Sequence, residues 1–260
     1  GHRPLDAFHA PAVLDAPDAP PAARALPAQL AAAGARLHPV TPDVLAGLCE
    51  RDDLQGVVAT FATFGAVLAA ADDGDGSAAG DPAAGRAALD AAIARRRAGG
   101  FVPRPDGPGL VVVLDRLQDP GNLGALVRTA DAAGADALVC VEPSVDAFDP
   151  RAVRGSMGSL FTLPLGRTAD AAALAGWLAA AGYALVGADA HAGAPWGDGV
   201  LDGAGGIALV LGNEARGLSP DLDARLAARV RLPMVGQAES LNVAVAGGIL
   251  MYAWLRAVTR

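Results

Sequence analysis

The sequence predicts an α/β protein with a mostly parallel sheet in its carboxyl-terminal part and a small α/β unit in front of it. Two observations carry this. From Leu110 onward, uninterrupted apolar runs alternate with helical stretches, and strands that are apolar on both faces belong to parallel sheets covered on both sides. The chain has 260 residues and 52% hydrophobic content, enough to bury a substantial core. Its longest apolar runs, Leu110 to Leu114 and Ile207 to Leu211, fall far short of the roughly 20 residues that a membrane helix needs. No transmembrane span is expected. The start, Gly1-His2-Arg3-Pro4, lacks a basic segment followed by an apolar run, so no secretory signal is expected and the chain is placed in the cytoplasm.

Taken in order, Leu37 to Val40 reads as a strand, Thr41 to about Glu50 as a helix capped by Thr41 with Pro42 in its first turn, and Gly56 to Phe61 as a second strand. Residues 70–85 are rich in Asp, Gly and Ala, and 101–109 in Pro and Gly, with a helical stretch near Arg86 to Arg97 between them. The domain boundary is therefore expected near Gly107: an amino-terminal domain over 1–107, with a flexible linker at about 70–107, and a second domain over 108–260. In the second domain the strands are Leu110 to Leu114, Ala137 to Val141, Ala184 to Ala188, Ile207 to Leu211 and Val230 to Leu232. Helices are expected near Asn122 to Ala133, Pro150 to Met157, Ala169 to Ala181 and Asn242 to Val258. Sheets of this kind bind ligands at the carboxyl ends of their strands.

Composition narrows the chemistry. Cys49 and Cys140 stand alone and the four histidines are scattered, so no metal site and no disulfide framework are expected. A net charge of −8 argues against binding nucleic acid through a broad basic field. All 20 basic residues are arginine, which suits focused bidentate phosphate contacts; a GC-rich genome produces the same bias. Arg95-Arg96-Arg97 either touches RNA phosphates or forms a solvated helix end. A hydrolase is disfavoured because no GxSxG appears.

Three segments carry chemistry. Leu114 to Gly124, running into Ala125-Leu126-Val127-Arg128-Thr129-Ala130, reads as strand, Gly-rich loop and helix start, able to offer N–H groups to an anion, with Arg128 pointing from the same end. An ordinary strand-to-helix connection explains it equally, whereas a dinucleotide site would need the full GxGxxG. Leu209 to Pro220 repeats the strand–loop–helix pattern, with Gly212 allowing close approach of a ligand and Asn213 and Glu214 supplying polar groups. In Arg231 to Asn242, Ser240 either caps the following helix or acts on substrate together with Asn242.

In this order the three segments resemble the signature motifs of the SpoU/TrmH family of SPOUT methyltransferases: DPxNxGxxxRTA, LGNExxGLS and LPMxGxxESLNVAVA. Arg151 to Gly158, leading to Phe161 and Pro164, resembles a further family signature. The resemblance spans about Leu110 to Arg260. Over 1–107 it is confined to Gly56-Val57-Val58-Ala59, which looks like the end of the family's small ribosomal-protein-like RNA-binding domain.

The resemblance implies a deep trefoil knot formed by the last strands and helix, which is the pocket for S-adenosylmethionine. Leu211, Gly212, Asn213, Leu232, Met234 and Leu241 would hold that cofactor. Catalytic roles fall on Asn122, Arg128, Glu214, Ser240 and Asn242, and the implied reaction is ribose 2′-O-methylation of RNA, ribosomal RNA favoured over transfer RNA. A guanidinium seldom gives up its proton, so Arg128 is expected to grip phosphate and stabilise alkoxide charge rather than act as a base. Family members pair through the closing helix, and Ala244, Ala246, Gly247 and Gly248 either permit a homodimer there or pack within one chain. The rival readings are a base or small-molecule methyltransferase on the same knot, and a non-catalytic RNA- or antibiotic-binding module.

Overall fold

The computed structural model describes residues 2–49, 54–69, 81–202, 205–213 and 216–260. The chain divides into two compact units, Gly1–Phe64 and Gly65–Arg260.

In the first unit the elements run β1 Pro4–His9, α1 Pro11–Leu14, α2 Pro21–Ala32, β2 Arg36–Pro39, α3 Pro42–Leu48 and β3 Val57–Phe61. They form a three-stranded sheet, β2-β1-β3, parallel between β1 and β2 and antiparallel between β1 and β3. Thr41 caps α3, its side chain accepting from the Val44 N–H, as the Thr-Pro pair predicts. Among its described residues few side chains are buried: Pro4, Ala7, Ala10, Leu14 and Leu45. Asp6 accepts from Arg36 at 2.8 Å and meets His38 at 2.7 Å, and these partners, Arg36 first, hold its carboxyl below the usual range. The His38 ring stacks on Phe8 with centroids 4.9 Å apart.

The larger unit contains β4 Ala66–Ala69, α4 Pro82–Ala98, β5 Leu110–Asp115, α5 Pro120–Ala132, β6 Ala137–Val141 and α6 Pro150–Gly155. A single 3₁₀ turn at Ser159–Phe161 leads to β7 Leu165–Thr168, α7 Ala171–Ala180, β8 Tyr183–Ala188, β9 Ala194–Pro195 and β10 Gly206–Leu211. The chain then forms α8 Pro220–Asp223, β11 Ala228–Arg231 and α9 Val243–Val258. Every strand pairing is parallel, in the order β4-β7-β6-β5-β10-β8-β11-β9. β5 and β10, buried along their whole length, lie side by side at the centre. From β5 the chain steps outward through β6 and β7, and it returns to β10 from the opposite side, so β5 and β10 flank a switch point. Val111, Val113, Val139 and Val210 point into one core with Leu89, Leu174 and Leu178. The alternate residues face the other layer, where Leu211 meets α9 at Gly247.

Helices α4, α5 and α6 each start where an aspartate precedes a proline. Asp81, Asp119 and Asp149 each accept a main-chain N–H of the following turn, because the carboxylate satisfies an orphan donor while proline presets the helical φ.

The expected boundary near Gly107 differs from the one found. β4 pairs with β7 and α4 is bolted to the sheet, so 65–107 belongs with the larger unit. Within the expected linker, 82–98 is a helix, and 70–80 lies outside the described residues. Neither expectation for the arginine triplet fits Arg96 and Arg97. Arg96 is buried, donating to the Ala135 carbonyl at 2.7 Å and pairing with Asp131 at 2.8 Å. Arg97 makes two bonds of 2.9 Å to the fully buried Asp136, and that pairing raises its pKa further. Cys140, in β6, is buried, and burial pushes its thiol up to about 12.

Candidate active site

The carboxyl ends of β5 and β10 bring the first two segments together. Arg116, just past β5, donates from its main-chain N–H to the Val141 carbonyl at 3.0 Å. Gln118 donates to the Pro143 carbonyl at 2.8 Å, and Asp119 caps α5 by accepting from the Asn122 N–H at 2.7 Å. That amide is therefore already committed. Gly124 also has a structural duty: a Cβ there would lie 2.6 Å from the Ala152 carbonyl and 2.9 Å from Gly155 Cα. Its missing side chain lets α6 press against α5.

Across the switch point, Asn213 and Gly217 exchange main-chain bonds of 3.0 and 2.9 Å. The Asn213 side chain accepts from the Arg216 N–H at 3.0 Å and donates to the Arg116 carbonyl at 2.9 Å. A Cβ at Gly212 would sit 2.6 Å from Gly217, so the glycine is needed first for the loop to close on itself. The predicted residue Glu214 lies outside the described residues.

The third segment reaches the same place through the start of α9. The Asn242 side chain caps α9, accepting from the N–H groups of Ala244 and Val245 at 2.9 and 3.3 Å. Its Nδ2 donates to Asn122 Oδ1 at 3.0 Å. Two predicted catalytic residues, 120 positions apart in sequence, thus touch where the two helices begin. The capping alternative for Ser240 is excluded because Asn242 holds that position; Ser240 is exposed in the preceding loop. Leu241 is 39% exposed, and Leu232 and Met234 are half-buried. Among the described residues, the main-chain N–H groups from Met234 to Leu241 have no hydrogen bond within the chain. Leu211 is buried beneath Gly247 of α9, so its main chain rather than its side chain is what it can offer.

Arg128 stands apart from these contacts. It is exposed on α5, six residues and about 9 Å along the axis from Asn122, and its side chain makes no hydrogen bond or ion pair among the described residues. Within α9, Gly247 serves the chain itself: a Cβ there would lie 2.7 Å from both Leu126 and Leu211. A different feature escaped the sequence reading. Val245, Ile249 and Tyr252 are 51%, 38% and 50% exposed and follow one another at helical spacing, an apolar stripe on the outer face of α9.

A parallel sheet with three loop segments gathered over its central carboxyl edge defines an α/β protein whose site is built from non-contiguous motifs. Residues 109–252 match the model of the SpoU rRNA Methylase family, and the chain belongs to that family. It is 40% identical over 142 residues to the 23S rRNA (guanosine(2553)-2′-O)-methyltransferase RlmP of Bacillus subtilis, covering 55% of this chain and 56% of that one. To the 23S rRNA (uridine(2479)-2′-O)-methyltransferase of Streptomyces viridochromogenes it is 38% identical over 152 residues, 56% and 52% of the two chains. The matches span about half the length of these curated relatives. Among solved structures, the S-adenosylmethionine-bound rRNA methyltransferase of Sinorhizobium meliloti superposes with a TM-score of 0.75 at 27% identity, over 98% of this chain and 81% of that one. The SpoU methyltransferase AviRb of Streptomyces viridochromogenes, also with its cofactor, gives 0.71 at 28% identity, over 98% and 82%.

Proposed function

We propose that this protein transfers the methyl group of S-adenosylmethionine to a ribose 2′-hydroxyl of ribosomal RNA. The observation that carries the reading is the Asn122–Asn242 contact, which joins the first and third segments beside the second. Family membership and the cofactor-bound neighbours support it.

The residues present fit this cofactor. Leu232, Met234 and Leu241 leave apolar surface for an adenine, beside a run of uncommitted main-chain donors. Leu211, Gly212 and Asn213 supply main chain at the neighbouring strand end. When bound, the cofactor supplies an electrophilic methyl on a sulfonium, and the sulfur leaves as a neutral thioether. The chain's own task is then to orient the ribose oxygen and manage its proton. Arg128, an exposed cation whose side chain has no partner among the described residues, grips a substrate phosphate whose oxygen accepts the hydroxyl proton, and it stabilises the developing alkoxide. Asn122, Ser240, Asn242 and Glu214 align the ribose for in-line attack, where most of the acceleration arises.

On this reading the last strands and α9 are threaded as a deep trefoil knot. The stripe Val245, Ile249 and Tyr252 pairs with that of a second copy, making a homodimer through the carboxyl-terminal unit. The amino-terminal unit contacts RNA as a ribosomal-protein-like module, for which Arg36 and the Phe8–His38 stack provide a cation and a ring face. No helix among the described residues is long and apolar enough to cross a membrane, and the place of action we propose is the cytoplasm, where ribosomal RNA is found. The test is a map of ribose methylation across total RNA from cells with and without the gene. One 2′-O-methyl mark in ribosomal RNA should vanish on deletion; an unchanged map refutes the reading.

A further inference from the structure

The loops after β5 and β10 are joined through two adjacent residues to which the proposed chemistry assigns no role. Asp115 ends β5 with its carboxylate fully buried. It accepts from the main-chain N–H of Ser219 and from Arg116 Nε at 3.2 Å. Arg116 has φ of +58°, in the left-handed region that a Cβ disfavours. Three bonds fix it. The turned carbonyl accepts from Asn213 Nδ2 at 2.9 Å and from Gln118 Nε2 at 3.2 Å, and the guanidinium donates to the Gly217 carbonyl at 3.3 Å. Asn213 and Gly217 close the loop between them by their own main-chain bonds, so Arg116 holds both ends of the 213–217 span, within which Glu214 falls in the sequence. A glycine or asparagine at 116 would adopt this turn more readily, but neither carries a guanidinium able to reach Gly217 while resting on Asp115.

We propose that Asp115 and Arg116 form a positioning pair: the buried carboxylate aims the guanidinium, and Arg116 sets Asn213 and Gly217 in the places from which they receive S-adenosylmethionine. The proposal rests on the methyltransferase reading. Arg116→Asn accepts the left-handed turn, keeps the main-chain bond to Asn213 and removes the guanidinium's hold on Gly217. Titration calorimetry of the full chain with S-adenosylmethionine should show Kd rising about tenfold, the size of one lost charge-assisted hydrogen bond. The melting temperature of the ligand-free protein should stay in place, and hydrogen exchange should quicken only in peptides covering 209–222. Asp115→Asn, which keeps an acceptor for Ser219, should raise Kd by about threefold. Arg116→Lys should restore part of the affinity, because one ammonium cannot span both acceptors as a fork does.

An Arg116→Asn chain that binds as tightly as the parent overturns the proposal, whatever the exchange shows. So does an affinity loss matched by an equal fall in melting temperature in both the Asn and Lys variants, which would mark general destabilisation. If the parent itself fails to bind S-adenosylmethionine, the methyltransferase reading fails instead, and exchange in 209–222 still decides whether the pair holds the loop.

Discussion

Strand β5 has a buried aspartate at each end, and the two are used differently. At its amino end Asp136 is saturated: it accepts from the Gly109 N–H and the Tyr183 hydroxyl, each at 2.8 Å, and from Arg97 twice. Burial and the neighbouring carboxylate push the Tyr183 hydroxyl well above its ordinary range. This cluster locks α4 to the sheet and leaves nothing over for a ligand. At the carboxyl end, Asp115 and Arg116 tie together the loops that follow β5 and β10, through Ser219, Asn213 and Gly217. Both ends bury charge, but only the carboxyl end sits at the switch point, where loops diverge and leave uncommitted groups.

The contrast is broken most sharply at Arg128. Arg128→Ala should lower methyl transfer by about a thousandfold while leaving affinity for S-adenosylmethionine within about twofold; labelled-methyl incorporation and calorimetry measure the two separately, and surviving transfer removes Arg128 from the chemistry. At the opposite end, Asp136→Ala strands Arg97 and should cost about 3–5 kcal/mol of stability in urea unfolding, with the affinity of the folded fraction unchanged. Leu241→Glu should weaken cofactor binding by about tenfold without altering the melting temperature, and unchanged affinity would take the third segment out of the pocket. Asn242→Ala removes a helix cap worth about 1 kcal/mol and the contact to Asn122, so activity should fall by more than stability does. The smallest effect concerns Asp6. Its carboxyl is depressed in the folded chain, so its contribution is full above the ordinary value of 3.8 and fades as pH falls through the depressed one; Asp6→Asn should flatten that part of an acid titration slightly.

Much of this was legible beforehand. Ala137–Val141 runs over the expected residues, and Leu110–Asp115 and Gly206–Leu211 each differ by one, because a strand buried on both faces must be apolar throughout. Strands β1, β4, β7 and β9 went unread: the last three have four residues or fewer, too short for composition to distinguish from a loop, and β1, PLDAFH, mixes polar residues and a proline among its apolar ones. The misplaced boundary has the same origin, since Pro and Gly near 101–109 look like a linker while Arg96 and Arg97, far from Asp131 and Asp136 in sequence, anchor that region. The packing duties of two glycines were not legible: Gly124 lies against Ala152 and Gly155, and Gly212 against Gly217, contacts that no local motif names.

The sequence by itself determined the class of fold, the three motif segments and the residue types that gather at the site, since periodicity, capping and chemistry are local properties of neighbouring residues. Tertiary structure alone decided that Asn122 meets Asn242, that Asn242 rather than Ser240 caps α9, and that Arg116 grips the 213–217 loop. Each of those depends on which strands lie side by side, and in a parallel sheet strand order is a matter of long-range packing that no short window of sequence contains.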